Sequence, residues 1–168
     1  QLNIWSLGIY GTGITNLDLT SNVLLRSFNC TNNTSLTSLT FGNSPNLTEA
    51  NCNDNALETL DVSEFESLIQ LNASGNNLTH LDASQNLNLV NIYVTNNNLI
   101  SINLRNGFSQ NILFLLATNN PDLFCVEVDD EIAAPYNNLW LFSQPVIFSE
   151  NCALGINDSE NVKAVIYP

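Results

Sequence analysis

The chain has 168 residues, long enough for one domain with its own core, and nothing in it demands two. Lys and Arg number 3 against 16 Asp and Glu, and the formal net charge of -13 would repel phosphate backbones and anionic membrane surfaces, so nucleic acid is excluded as a partner. Only 11% of the residues are charged, so the polar surface must come from Asn, Ser and Thr, a bias expected of a chain that works outside the cell.

A Leu-x-x-Leu-x-Leu-x-x-Asn pattern recurs along the sequence, starting at Ile4, Leu25, Leu47, Leu68, Leu89 and Ile112. In the first copy Ile4, Leu7 and Ile9 keep the apolar places, and Thr12 replaces the asparagine. Trp5, Tyr10, Gly8, Gly11 and Gly13 make this either an atypical capping coil or a coil from which upstream residues have been removed. No signal peptide is visible at Gln1, which fits a mature chain after cleavage as well as an excised one. The second and third copies place Cys30 and Cys52 at the inward position held later by Ala73, Val94 and Ala117. Both are expected as buried free thiols, with a disulfide between neighbouring coils as the alternative. The fourth and fifth copies, Leu68-Leu71-Ala73-Asn76 and Leu89-Ile92-Val94-Asn97, agree at every position.

Within each copy the apolar residues alternate with polar ones, which is the period of a short strand with one face inward. A similar second half follows in every unit, for example Leu36, Leu39, Phe41 and Leu78, Leu81, Ala83. No segment carries a 3.6-residue stripe, and polar clusters such as Asn53–Asn55 and Thr95–Asn98 separate the halves. The expected fold is a repeat solenoid, a β-rich leucine-rich-repeat right-handed superhelix with two short strands per coil of about 21 residues. The asparagines Asn33, Asn55, Asn76, Asn97 and Asn120 recur where the chain leaves the first strand. Their amides are expected to satisfy loop backbone groups inside the stack, each costing about 1–3 kcal/mol if left unpaired. The sequons at Asn29, Asn46 and Asn77 are read as chance products of an Asn-rich chain.

After Leu123 the register dissolves into Asp129, Asp130, Glu131 and an aromatic, Pro-broken stretch, Tyr136–Phe148, expected to lie across the last coil and cover it. Cys125 and Cys152 bracket this stretch and are expected to form a disulfide, which implies an oxidising compartment. The division is thus a repeat array over 1–128, a cap over 129–152, and a linker or the start of a sorting domain over 153–168. No apolar run approaches the ~20 residues of a membrane span, so no membrane insertion is expected.

The alternation of Asn-x-Leu-x-x-Leu-Asp-x-Ser with Leu-x-x-Leu-x-x-Ser-x-Asn-Asn over residues 4 to 128 resembles the short bacterial leucine-rich repeats on surface proteins of bacteria that use type IX secretion. The run Asn120-Pro121-Asp122-Leu123-x-Cys125-Val126-x-Val128-Asp129-Asp130, with Phe148-Ser149-Glu150-Asn151-Cys152, is similar to the closing segment of such arrays. Ile156-Asn157 through Ile166-Tyr167-Pro168 resembles the opening of a type IX sorting domain. The resemblance implies export to the bacterial outer surface and a role in adhesion, glycan contact or protein contact.

Chemistry-bearing residues are few. His80 stands beside Asp82 at an outward position, where a solvated surface histidine is expected, and neither Ser nor Cys can be placed beside it by a recognised motif, so no catalysis is expected. On the second flank the outward residues Asp18, Thr40, Asp61, Asp82, Asn103 and Glu127 form a partly acidic ladder. Solvated carboxylates that discourage edge-to-edge association are expected there, with a Ca²⁺ shared by Asp61 and Asp82 as the alternative; otherwise no cofactor is expected. On the first flank Asn29, Asn51, Asn72 and Tyr93 share one outward row, with Gln70 and Asn91 beside them, and Ile69 and Val90 lead into an apolar patch with Phe114 and Leu116. Burial of Leu113, Phe114 and Leu116 under the cap is the competing expectation. This face is the predicted ligand-binding surface, for a protein partner first and for an extracellular polysaccharide as the alternative.

Overall fold

The computed structural model describes residues 4–131 and 139–152. The proposed sorting segment, 153–168, and the part of the cap at 132–138 lie outside the described residues. The chain winds as a β-solenoid of about six turns whose paired strands are all parallel, and its one helical element among the described residues is a single 3-10 turn, Ser109–Asn111.

One strand from each turn builds the first wall. These are β1 (Ser6–Gly8), β3 (Ser27–Asn29), β5 (Glu49–Asn51), β6 (Gln70–Asn72), β8 (Asn91–Tyr93) and β10 (Phe114–Leu116), with β12 (Trp140–Leu141) as the edge. Register is strict: Gly8, Asn29, Asn51, Asn72, Tyr93 and Leu116 are successive partners. The period-2 pattern sets it, because a slip of one residue would carry Phe28, Leu71, Ile92 and Leu115, all buried, into solvent.

The second wall differs from the sequence expectation of two strands in every coil. It is split into β2 (Asn16–Leu19) with β4 (Ser38–Phe41), and β7 (His80–Asp82), β9 (Ser101–Asn103), β11 (Cys125–Glu127) and β13 (Ile147–Ser149). The third coil contributes no strand here. At this level the core holds an edge-to-face aromatic run, with Phe28 to Phe41 at 5.2 Å and Phe41 to Phe65 at 4.8 Å between ring centroids. Phe65 occupies a turn place that Asn86 and Asn106 fill in later coils. Those amides stitch one coil to the next, Asn86 donating to the Val62 and Phe65 carbonyls and Asn106 to the Asn86 carbonyl. A phenyl ring cannot donate, so this stitch is missing below the third coil.

Three devices hold the other corner. Asn33, Asn55, Asn76, Asn97 and Asn120 are buried, and each Nδ2 donates both to the carbonyl three residues earlier and to a carbonyl of the preceding coil. Their Oδ1 atoms accept a backbone N–H from the coil before, as Asn97 does from Leu78 at 3.0 Å. The residue preceding each asparagine lies in the left-handed region, at Asn32, Asp54, Gly75, Asn96 and Asn119, where Asn, Asp and Gly meet the least steric cost. Cys30 and Cys52 are free and buried. The neighbouring Cys30 thiol, together with burial, raises the Cys52 pKa and keeps that thiol protonated.

The closing segment is not laid across the last coil as expected; its described part continues the winding. β12 pairs with β10 and β13 with β11. Trp140 and Phe148, buried and 5.8 Å apart, take the inward places of an aliphatic pair and close the core, and Trp140 Nε1 donates to the Ile112 carbonyl. Gln144 donates to the carbonyls of Asn120 and Leu123, ending the amide ladder. Continuation wins because an extra rung satisfies the outer backbone edge of β10 and β11, which a crossing segment would leave unpaired. Cys125 and Cys152 are joined as expected. A cross-link over 27 residues stabilises by about 3.5 kcal/mol on the chain-entropy model. Reduction is therefore expected to lower the denaturation midpoint of the wild type and to leave a Cys125→Ser, Cys152→Ser variant, already destabilised, where it was.

Candidate functional site

All eight residues predicted as a binding face stand on the first wall and outward. Asn29, Asn51, Asn72 and Tyr93 form its central row, Gln70 and Asn91 lie one row over, and Ile69 and Val90 follow at the margin. The margin row is tied by its own backbone ladder, in which Arg26, Thr48, Ile69, Val90 and Leu113 each donate to the residue one coil earlier, from the Trp5 carbonyl upward.

The central asparagines also do something the sequence reading did not assign. Asn29 Oδ1 accepts from the Thr31 N–H at 3.0 Å and from its hydroxyl, and Asn72 Oδ1 accepts from the Ser74 N–H at 3.1 Å. Asn51 makes the longer equivalent to Asn53. Each such bond ends a strand in an Asx-type turn. Because the oxygen is held by the backbone, rotation of the amide is restricted and its nitrogen is restricted with it. Beside this row the Oδ1 of Asn91 is buried with no hydrogen-bond partner among the described residues.

Polarity changes along the wall. From the fourth coil onward Ile69, Val90, Tyr93, Phe114 and Leu116 form the expected apolar patch, and the described part of the closing segment extends it with Leu139 and Leu141. Leu113 keeps 49% of its surface and Leu141 50%, while Phe114 and Leu116 are half-buried. At the N-terminal end Trp5 is 62% exposed with the Arg26 guanidinium 5.5 Å from its ring centroid. Tyr10, 59% exposed, folds its ring back over Gly8, where a Cβ would collide with it.

The second wall gathers the remaining candidates. The gap left by the missing strand is a groove of about 380 Å³ lined by Thr59, Asp61, Ser63, His80, Asp82 and Ser84, among others. Asp61 and Asp82 each spend Oδ1 on the N–H two residues on, Ser63 and Ser84 respectively. The Ser63 N–H and hydroxyl hold the Asp61 carboxyl below the usual carboxylate range. The two carboxylates thus close turns, as Asp18 does for Thr20. Among the described residues no group of three or more His, Cys, Asp or Glu is arranged to hold a metal ion. The His80 ring bonds the Thr79 hydroxyl at 3.1 Å rather than either groove serine.

No protein-family model matches the chain, and no curated protein or solved structure matches it.

Proposed function

We propose that this protein is a leucine-rich-repeat recognition module, exported to the bacterial surface, that binds a protein partner through the apolar half of its first wall. The observation that carries this reading is the exposed patch from Ile69 to Leu141, which Leu139 and Leu141 of the closing segment enlarge. Contiguous exposed apolar surface bordered by a half-buried aromatic, here Tyr93, is the usual composition of an interface core. The polar rows beside it supply a rim. The leucine spacing and the rarity of helix favour a short, strand-rich repeat of this class, and the disulfide favours an oxidising location. His80, bound to a threonine, favours binding over hydrolysis.

The test is capture of surface proteins by the immobilised chain, followed by affinity measurement with the partner recovered. Leu113→Glu with Leu141→Glu is expected to weaken binding at least a hundredfold, each buried charge costing about 2 kcal/mol or more. Leu87→Glu, an equally exposed leucine outside both walls, is expected to bind as the wild type. Equal loss in both variants, or in neither, would rule out the patch.

A further inference from the structure

The polar half of the same wall has a different chemistry from the patch, and we infer that it is a second binding site, for a straight, uncharged β-1,4-linked polysaccharide lying across the strands. The central row begins at Gly8 and runs through Asn29, Asn51 and Asn72 to Tyr93, one residue per strand. Strands in a sheet are about 4.8 Å apart, so this row is about 19 Å long, and a pyranose in an extended chain advances about 5 Å, so sugars and strands run nearly in step.

Each end of the row carries an aromatic ring. Tyr10 lies over Gly8 at the first position, and Tyr93 stands at the fifth. An aromatic ring has an electron-rich face on which the axial C–H groups of a pyranose can pack. Between them are three amide nitrogens whose rotation is restricted by the strand-closing bonds of their own oxygens. Donors held in place before binding lose little freedom on meeting a hydroxyl, which favours recognition of a ligand that is itself a regular row of hydroxyls. At the margin the Arg26 guanidinium lies over the Trp5 ring. Charge sets the class of sugar: the central row has no ionised side chain, and a chain of net charge -13 repels polyuronates.

The site is tested by titrating the intact chain with cellohexaose, mannohexaose, xylohexaose, laminarihexaose and polygalacturonate, using calorimetry and the fluorescence of Trp5, the exposed one of two tryptophans. At least one β-1,4 hexamer is expected to bind and to shift the emission. Asn72→Asp retains an oxygen to accept the Ser74 N–H, as Asp61 does for Ser63, yet removes the amide donor. It is expected to bind at least tenfold more weakly with an unchanged thermal midpoint, and Tyr10→Ala is expected to lose binding likewise. The apolar-patch variant Leu113→Glu, Leu141→Glu is expected to bind sugar normally, which separates this site from the protein-binding reading. Binding of none of the β-1,4 hexamers, preference for the curved laminarihexaose or for polygalacturonate, or an Asn72→Asp variant indistinguishable from wild type would overturn it.

Discussion

Asn97→Ala is expected to lower the free energy of unfolding by roughly 3–5 kcal/mol, a large share of the 5–15 kcal/mol typical of a domain. Asn97 sits in the middle of the amide ladder with 4% of its surface exposed. Its Nδ2 donates to the carbonyls of Ala73 at 2.9 Å and Val94 at 3.2 Å, and its Oδ1 accepts from the Leu78 N–H. Alanine would strand the Leu78 N–H in a region closed to solvent, at about 1–3 kcal/mol, and would take one of two amide donors from each of the Ala73 and Val94 carbonyls, which keep Asn76 and Asn120, at about 0.5–1.5 kcal/mol each. Asn97→Asp is the sharper variant, because it keeps the acceptor for Leu78 and sets a second oxygen against two carbonyls; it should destabilise at least as much. Urea denaturation followed by far-UV circular dichroism measures both. A loss below about 1 kcal/mol would mean that water replaces the amide and that the ladder is not the fastening it is taken for.

Phe65→Ala should cost about 3–5 kcal/mol for a different reason. Phe65 is fully buried, and its ring meets Phe41 edge-on at 85°. The third coil lacks a strand on the second wall, so the ring stack replaces backbone pairing as the bond between coils at that level. Removing it leaves a cavity at a joint that no strand pair bridges on the second wall. In a solenoid each coil touches only its neighbours, so a weakened joint separates the array into two parts. Calorimetry of Phe65→Ala is accordingly expected to broaden or split the unfolding transition, whereas Phe65→Leu should retain one transition at a modestly lower temperature. A single sharp transition in the alanine variant would show that the first wall alone couples the two halves.

Much of the architecture could be read from Leu68, Leu71, Ala73 and Asn76 and their counterparts in the next coil, because inward spacing, strand period and loop amide all recur with the coil. The disulfide was legible as well, since Cys125 and Cys152 flank a stretch in which the leucine pattern lapses. The broken second wall was not. Leu57, Leu60 and Val62 satisfy the same apolar pattern as coils that do form strands, so the pattern alone could not show that this coil lacks one. The closing rung escaped for a related reason: Trp140 and Phe148 fill inward places with residues the leucine pattern does not admit. At the candidate site the outward row was legible from alternation alone. The restricted rotation of its amides was hidden, because Asn29 and Asn72 differ from the other asparagines of an Asn-rich chain only in the backbone N–H they meet, two residues on.

The claim beneath all of this is that each coil adds one strand spacing to the first wall. Paired spin labels at Trp5 and Ile69, and at Trp5 and Leu113, measure it directly by dipolar spectroscopy, since these margin residues are three and five strands apart in the backbone ladder. Backbone separations of about 14 Å and about 24 Å are expected, at about 4.8 Å per strand. Equal separations for the two pairs, or a shorter one for Trp5 and Leu113, would contradict the stacking and with it the two walls.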